Sequence, residues 1–146
     1  MRMPVLQLVE YVFPEIECRE NPDCPRNPDA VCPPEVQVNP RMAVKEDDDD
    51  AIYRLALEIR FGSEGEHCSY IGRVKVVGIF SVASEVEEKE KQVYINGASI
   101  LYSAAREFVL SITSRGPSFP LMLPTVRFNT CEHEEDFASQ DQARPD

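Results

Sequence analysis

The chain of 146 residues carries 26 acidic and 15 basic side chains, which gives it a formal net charge of −11. This length suits one domain with a modest core, and the negative charge argues against nucleic-acid binding because phosphates would be repelled. No run approaches the roughly 18 apolar residues of a membrane span, and the first residues lack the features of a signal peptide. We therefore expect a cytoplasmic protein without membrane insertion.

The first part of the chain predicts two strands joined by a long irregular connection. Residues 5–13 are rich in β-branched and aromatic side chains and end at Pro14. Residues 17–35 contain five prolines and two Asn-Pro steps, which predicts a loop. Residues 36–44 alternate like a strand, and Pro40 places this strand at a sheet edge or a bulge.

Two longer strands follow after an acidic turn. Residues 52–61 and 67–82 alternate with a period of two, and the segment "GSEGE" between them suits a hairpin loop. Gly72 and Gly78 predict a bulge or a close backbone approach. The predicted core-facing residues are Tyr53, Leu55, Leu57, Ile59, Phe61, Tyr70, Val74, Val76, Phe80 and Val82. Four strands in succession predict an antiparallel meander with one face in water.

One long helix is predicted over residues 99–117. Ser99 is a suitable N-cap, and Gly116 followed by Pro117 ends the helix. The apolar residues at helical spacing are Ile100, Leu101, Ala104, Ala105, Phe108, Val109 and Ile112. Tyr102 and Leu110 widen this stripe beyond one face, so we expect part of the helix to meet a partner subunit.

The C-terminal end divides into two parts. Residues 114–128 are strongly apolar, but Pro117, Pro120 and Pro124 prevent a helix. Residues 129–146 are acidic and polar, and we expect them to be disordered. The predicted organisation is one domain over 1–128 with an acidic tail over 129–146.

Motifs for catalysis are missing from the sequence. His67 and His133 have no nucleophile or carboxylate at a catalytic spacing, and no glycine-rich phosphate loop occurs, so we expect neither an enzyme nor a cofactor. The spacing of Cys18, Cys24 and Cys32 lacks the close cysteine pair that nucleates a zinc site, so no metal is assigned. A small metal- or thiol-binding module, in which Cys131 and His133 join these cysteines, remains an alternative of a different class.

Two stretches carry a resemblance to a known family. The strand end "GIFSV" at 78–82 and the stretch "ILYSAAREFVLSITSRGPSFPLMLPTVRF" at 100–128 resemble the SecB family of bacterial protein-export chaperones. The resemblance is densest over residues 71–128. It implies an α+β protomer with a four-stranded antiparallel sheet and one long helix, assembled as a dimer of dimers with the helices between two sheets. The implied interface residues are Ile100, Leu101, Ala104, Ala105, Phe108 and Ile112.

The resemblance also implies a function. SecB-like proteins bind unfolded preproteins in apolar grooves without ATP, either for export or as dedicated chaperones of a toxin–antitoxin system. The implied client-binding residues are Tyr11, Phe13, Phe119, Leu121, Met122, Leu123 and Phe128. The alternative for residues 121–128 is that they close the core over the sheet.

Docking to the export translocase ATPase is the remaining implied partner interaction. The residues that the resemblance assigns to it are Glu15, Glu17, Glu20 and Ile71. Arg73 stands where the family has an acidic residue, which reverses one charge. The segment after Phe128 also lacks the apolar periodicity of the second helix that flanks the groove in SecB.

Overall fold

The computed structural model describes residues 6–46, 51–83 and 87–128. The predicted tail, 129–146, lies outside them. The four strands are β1 (Leu6–Glu20), β2 (Val36–Glu46), β3 (Ala51–Phe61) and β4 (Tyr70–Val82). A short 3₁₀ turn, Pro28–Ala30, interrupts the connection from β1 to β2. The helical part runs from α1 (Lys89–Gln92) through a π-helical turn (Val93–Gly97) into α2 (Ala98–Thr113).

The strands form one antiparallel sheet in the order β1-β4-β3-β2. Strands β2, β3 and β4 form the predicted meander, but β1 pairs with β4 and not with its neighbour in sequence. The expectation of a simple four-stranded meander was therefore wrong, and the arrangement is a Greek key. Residues 21–35 supply the long connection that this topology needs.

Strand β1 is longer than predicted because it continues through Pro14 to Glu20. Its register against β4 shifts between Val12 and Glu15, around the proline. β1 has a hydrogen-bonded neighbour on only one side, so a missing N–H is tolerated at this bulge. The irregular connection consequently starts at residue 21 and not at residue 17.

The core lies between one face of the sheet and the helix. All ten predicted core-facing residues of β3 and β4 are buried, which confirms their predicted phase. Gly72 and Gly78 mark close approaches, because a Cβ on Gly72 would clash with the carbonyl oxygen of Glu17, and one on Gly78 would lie 2.7 Å from Leu101.

The helical rod begins ten residues before the predicted start at Ser99. Ser99 does not cap the helix, and its hydroxyl donates to the carbonyl of Ile95 at 2.9 Å. Val93 and Tyr94 are buried before α2 begins, so tertiary packing stabilises this additional turn. No helix within the described ranges is long and apolar enough to cross a bilayer.

Candidate functional site

Residues 117–128 form an extended segment, which we call the strap, and it runs back along α2. The N–H of Leu121 donates to the hydroxyl of Thr113 at 2.9 Å, and Nε of Arg106 donates to the carbonyl of Leu123 at 2.7 Å. Nearer the start of α2, the Tyr102 hydroxyl donates to the carbonyl of Pro124. Helical side chains thus supply the hydrogen bonds that the proline-broken strap cannot make with itself.

Burial alternates along the strap. Leu121, Leu123 and Phe128 are buried, whereas the side chain of Met122 is 55% exposed. The first three therefore pack in the protomer's own core, as the alternative for residues 121–128 predicted, and they do not line an open groove in this structure. Met122 and the half-buried Phe119 are the strap residues that remain accessible among the predicted client-binding set.

A cavity of about 690 Å³ separates the start of the strap from the connection after β1. Its walls come from both segments: Glu20, Asn21, Pro22, Cys24, Pro25 and Arg26 on one side, and Pro117, Ser118, Phe119 and Pro120 on the other. The Ser118 hydroxyl donates to the Glu20 carboxylate at 2.6 Å, and the Ser118 N–H donates to the Tyr70 hydroxyl at 3.0 Å. The first bond joins the two walls of the cavity, and the second attaches the strap to β4.

Asn21 organises the other wall, a role that the sequence did not predict. Its side chain is buried, and its amide group donates to the carbonyls of Glu66 and Cys68 at 2.8 and 2.9 Å. Its amide oxygen accepts from the N–H of Asp23 at 3.1 Å. The Asn-Pro step at 21–22 was the available signal, because such steps favour turns that the asparagine side chain stabilises.

A second apolar surface lies where β1 meets α2. The ring of Phe13 stacks on that of Phe108 with centroids 4.6 Å apart, and Tyr11 meets Phe13 edge-on at 5.9 Å. Tyr11 and Ile16 are 46% and 50% exposed. We define the β1–helix apolar surface as Tyr11, Phe13, Ile16, Ile100, Ala104, Phe108 and Ile112.

The predicted interface residues of the helix fall into two groups. Leu101 and Ala105 are fully buried against the protomer's own sheet, so they are core residues in this structure and not surface residues. Ile100, which is 39% exposed, and the half-buried Ala104, Phe108 and Ile112 remain accessible. The wide apolar stripe of the helix thus consists of two parts. One part packs inside the protomer, and the other remains accessible at its surface.

The predicted docking residues do not share one surface. Glu15 and Glu17 lie on the outer face of the sheet, where they form ion pairs with Arg73 at 3.3 and 3.5 Å. Ile71 of β4 lies on the same outer face, opposite Arg19 of β1. Glu20 instead lines the cavity on the helix side of the sheet. The charge reversal at Arg73 therefore partly neutralises two of the predicted docking residues.

The cysteines that the structure describes are free thiols. Burial raises the pKa of Cys18, Cys24 and Cys68, and the Glu20 carboxylate raises that of Cys24 further, so these thiols are poor nucleophiles. Within the described ranges, no group of three or more His, Cys, Asp or Glu could hold a metal ion. Cys131 and His133 of the alternative metal module lie outside those ranges.

Comparisons with known proteins agree with the resemblance. A family model described as preprotein translocase subunit SecB matches residues 16–136. The protein-export protein SecB of Anaplasma phagocytophilum (strain HZ) is 34% identical over 84 residues, which are 54% of this chain and 53% of the relative. That of Wolbachia pipientis subsp. Culex pipiens (strain wPip) is 35% identical over 71 residues, 46% of this chain and 42% of the relative. The chain thus spans about half the length of the curated relatives that it matches.

Solved structures share the fold at low sequence identity. A SecB-like chaperone of Mycobacterium tuberculosis, determined in complex with a ChAD peptide from the HigA1 antitoxin, superposes with a TM-score of 0.54 at 18% identity. The match covers 85% of this chain and 92% of that one. A protein of unknown function from Streptococcus agalactiae gives a TM-score of 0.50 at 8% identity, covering 83% of this chain and 97% of its own. These likenesses support the four-stranded sheet and long helix.

Proposed function

The chain belongs to the SecB family, and from this premise we propose that it is an ATP-independent chaperone that binds unfolded preproteins for export. It acts by binding alone and catalyses no reaction. We place it in the cytoplasm, where the free thiols of Cys18, Cys24, Cys32 and Cys68 would stay reduced.

The cavity beside the strap is the proposed client-binding site. The observation that carries this assignment is Phe119, which is half-buried in a cavity walled by Pro22, Pro25, Pro117 and Pro120. A volume of about 690 Å³ lies within the range of ligand pockets, roughly 300–1,000 Å³. Proline rings offer apolar contacts without N–H groups, so the walls accept varied side chains without fixing a register.

Met122 extends this site along the strap. Its exposed thioether side chain is flexible and polarizable, which suits contacts with clients of different shapes. Each client side chain that becomes fully buried contributes roughly 1.5–3 kcal/mol. A few such contacts suffice for reversible binding of an unfolded segment.

The β1–helix apolar surface is the proposed contact between copies of the chain. Its exposed part combines an edge strand with the outward stripe of the helix, and both are costly to leave in water. We assign this surface to the contact within a homodimer or homotetramer. Tyr11 and Phe13, which were predicted to bind clients, lie on it, and we assign them to assembly as well as to client contact.

A holdase assay tests the proposal. A guanidinium-unfolded client is diluted into buffer without nucleotide, and light scattering reports its aggregation in the presence of the chaperone. We expect the wild type to suppress aggregation near stoichiometric ratios. About fivefold more of the variant Phe119→Ser/Met122→Ser should be needed for the same suppression. Each replacement removes part of the roughly 1.5–3 kcal/mol of binding free energy that burial of an apolar side chain contributes.

The control is Val12→Ser, which removes an equally exposed aliphatic side chain from the outer face of the sheet. It should leave the suppression unchanged. Failure of the wild type to suppress aggregation would refute the holdase function, and equal loss in both variants would refute the assignment of the site.

A dedicated chaperone for a single partner is the second candidate. It is favoured by Arg73, which pairs with Glu15 and Glu17 and so weakens the acidic surface that translocase docking would use. Calorimetric titration with the C-terminal tail of the translocase ATPase distinguishes the two candidates. Measurable binding supports the export role, and its absence alongside normal holdase activity supports the dedicated role.

A further inference from the structure

The outer face of the sheet carries an excess of positive charge in an otherwise acidic protein. On β2, β3 and β4, the charged side chains described on this face are Arg41, Arg54, Arg60, Arg73, Lys75 and Glu58. Five cations thus accompany one acid, although the whole chain has a net charge of −11. The other acidic residues described on this face are Glu10, Glu15 and Glu17 of the edge strand β1, which carries one cation there, Arg19. The face is therefore divided into a basic centre and an acidic edge.

The register places the basic residues around a depression. Ala56 lies opposite Arg41 on β2 and opposite Val77 on β4, so a short side chain sits between longer neighbours. The depression has a volume of about 410 Å³. Its lining consists of Asn39, Arg41, Ala56, Glu58, Arg60 and Lys75. We call these residues, with Arg54 and Arg73, the basic centre.

Part of this positive charge has no partner among the described residues. Arg60 pairs with Glu58 at 2.8 Å, and Arg73 pairs with Glu15 and Glu17. Ion pairs within the described ranges do not involve Arg41, Arg54 or Lys75. Arg41 and Arg54 thus remain exposed cations without an ion pair among these residues, whereas Lys75 is half-buried and lies opposite Glu58 and Glu15 in the strand register.

Glu58 responds to this positive potential. The hydrogen bond from Arg60 is the largest influence, and it lowers the pKa of Glu58. Burial is the next largest and raises this pKa, while the charges of Arg60, Arg73 and Lys75 each lower it by a smaller amount. An added carboxylate beside Glu58 would meet the same cations, because they lie on neighbouring strands of one face.

We propose that the basic centre binds an acidic, extended peptide segment of a partner protein. The dimensions fit such a segment: neighbouring strands lie about 4.8 Å apart, so β2 to β4 spans roughly 10 Å, and residues 54–60 cover about 20 Å along β3. An extended peptide presents alternate side chains about 7 Å apart on one side. Carboxylates spaced along such a peptide would therefore meet Arg54, then Arg41 beside Ala56, and finally Arg60, while Lys75 lies beside Glu58 between them.

The acidic edge limits what else fits this face. A nucleic-acid duplex or an anionic membrane would extend beyond the basic centre and bring its phosphates against Glu10, Glu15 and Glu17. A single peptide strand lying over β3 avoids them. The proposed site is on the opposite face of the sheet from the strap and the cavity, so it is independent of the proposed client-binding site.

Fluorescence anisotropy with defined probes tests the proposal on the full chain. The probe is a labelled peptide of six Glu-Ser repeats, and the comparisons are six Lys-Ser repeats, a twelve-nucleotide oligothymidylate and phosphatidylglycerol vesicles. We expect saturable binding of the Glu-Ser peptide that weakens as sodium chloride rises from 0.05 to 0.5 M, because salt screens exposed charges.

Two double variants locate the binding. Arg41→Gln/Lys75→Gln should lower the affinity for the Glu-Ser peptide by about fivefold or more, because the loss of one exposed ion pair lowers an affinity by up to roughly fivefold. The control Arg115→Gln/Arg127→Gln removes the same charge from exposed positions just after α2 and on the strap, and should keep wild-type affinity. Neither pair forms a described ion pair, so folding should be retained, and circular dichroism checks this.

Four results would overturn the proposal. The first is that the Glu-Ser peptide shows no saturable binding, and the second is that both double variants weaken its binding equally. The third is that the oligonucleotide or the vesicles bind more tightly than the peptide, through Arg41 and Lys75. The fourth is that Arg41→Gln/Lys75→Gln changes the mass of the oligomer. The last would mean that a second copy of the chain occupies the face. Loss of holdase activity in this variant would likewise contradict the independence of the two faces.

Discussion

The ring of Phe13 on the edge strand stacks on the ring of Phe108 on the helix, with centroids 4.6 Å apart and planes 21° from parallel. This contact joins two parts of the chain that are far apart in sequence. Arg106 contacts the strap from the same helix, and its angular position is about 200° from that of Phe108. The helix is thus held by the strap on one side and by β1 on the other, and its remaining exposed stripe continues the apolar surface of β1.

Assembly should depend on that stripe. We expect Ile100→Asp to lower the mass of the oligomer towards the 16.5 kDa protomer, because association would bury an unpaired carboxylate in an apolar contact. Size-exclusion chromatography with light scattering measures this mass. Thr125→Asp, at an exposed position of the strap on the other side of the helix, is the control and should keep the wild-type mass. An unchanged mass for Ile100→Asp would place the interface elsewhere.

The strap should depend on the hydroxyl of Thr113. In the variant Thr113→Val the buried N–H of Leu121 loses its acceptor, and the expected loss of unfolding free energy is about 1–3 kcal/mol. Urea unfolding followed by circular dichroism measures it. Ser114→Ala removes an exposed hydroxyl that donates to Leu110 and should change stability by less than about 0.5 kcal/mol. Equal effects of the two changes would contradict the anchoring role of Thr113.

Stability should fall at alkaline pH through Tyr102. Burial raises the pKa of Tyr102 above its ordinary value of 10.0, and Arg106 opposes this only in part. The folded state therefore keeps the proton longer than the unfolded state. The resulting stabilisation is complete below pH 10 and is lost as the pH rises through the raised pKa.

The variant Tyr102→Phe tests this dependence. It should be less stable at pH 7 by about 1 kcal/mol, because its hydrogen bond to Pro124 is lost, yet its stability should fall less steeply above pH 10. Urea midpoints between pH 7 and pH 11.5 measure both effects. Tyr11→Phe, which alters an exposed ring, should follow the wild-type profile. A wild-type slope in Tyr102→Phe would contradict the prediction.

The predictable parts of the fold were those that local periodicity specifies. The alternation in β3 and β4 identified all ten core-facing residues, and the helical spacing identified the apolar stripe of α2. These patterns are readable because each strand or helix repeats its own geometry over many residues. The start of the helix was missed because packing of Val93 and Tyr94, and not a cap at Ser99, decides it.

The candidate sites were predicted less completely. Residue types marked 114–128 as an unusual apolar stretch, but which of its apolar side chains point inward depends on anchors at Tyr102, Arg106 and Thr113. The cavity could not be foreseen because its walls come from residues 20–26 and 117–120. Loops supply these walls, and loop positions follow from the elements that they connect.

By itself, the sequence determined the strand phases, the helix and the family, because these depend on short-range patterns and on motifs contained in continuous stretches. Only the tertiary structure decided that β1 pairs with β4, that Leu101 and Ala105 are enclosed while Ile100 is not, and that five cations share one face. Such relationships join residues from separate strands and loops. Their free energy comes from contacts that exist only once the whole chain has folded.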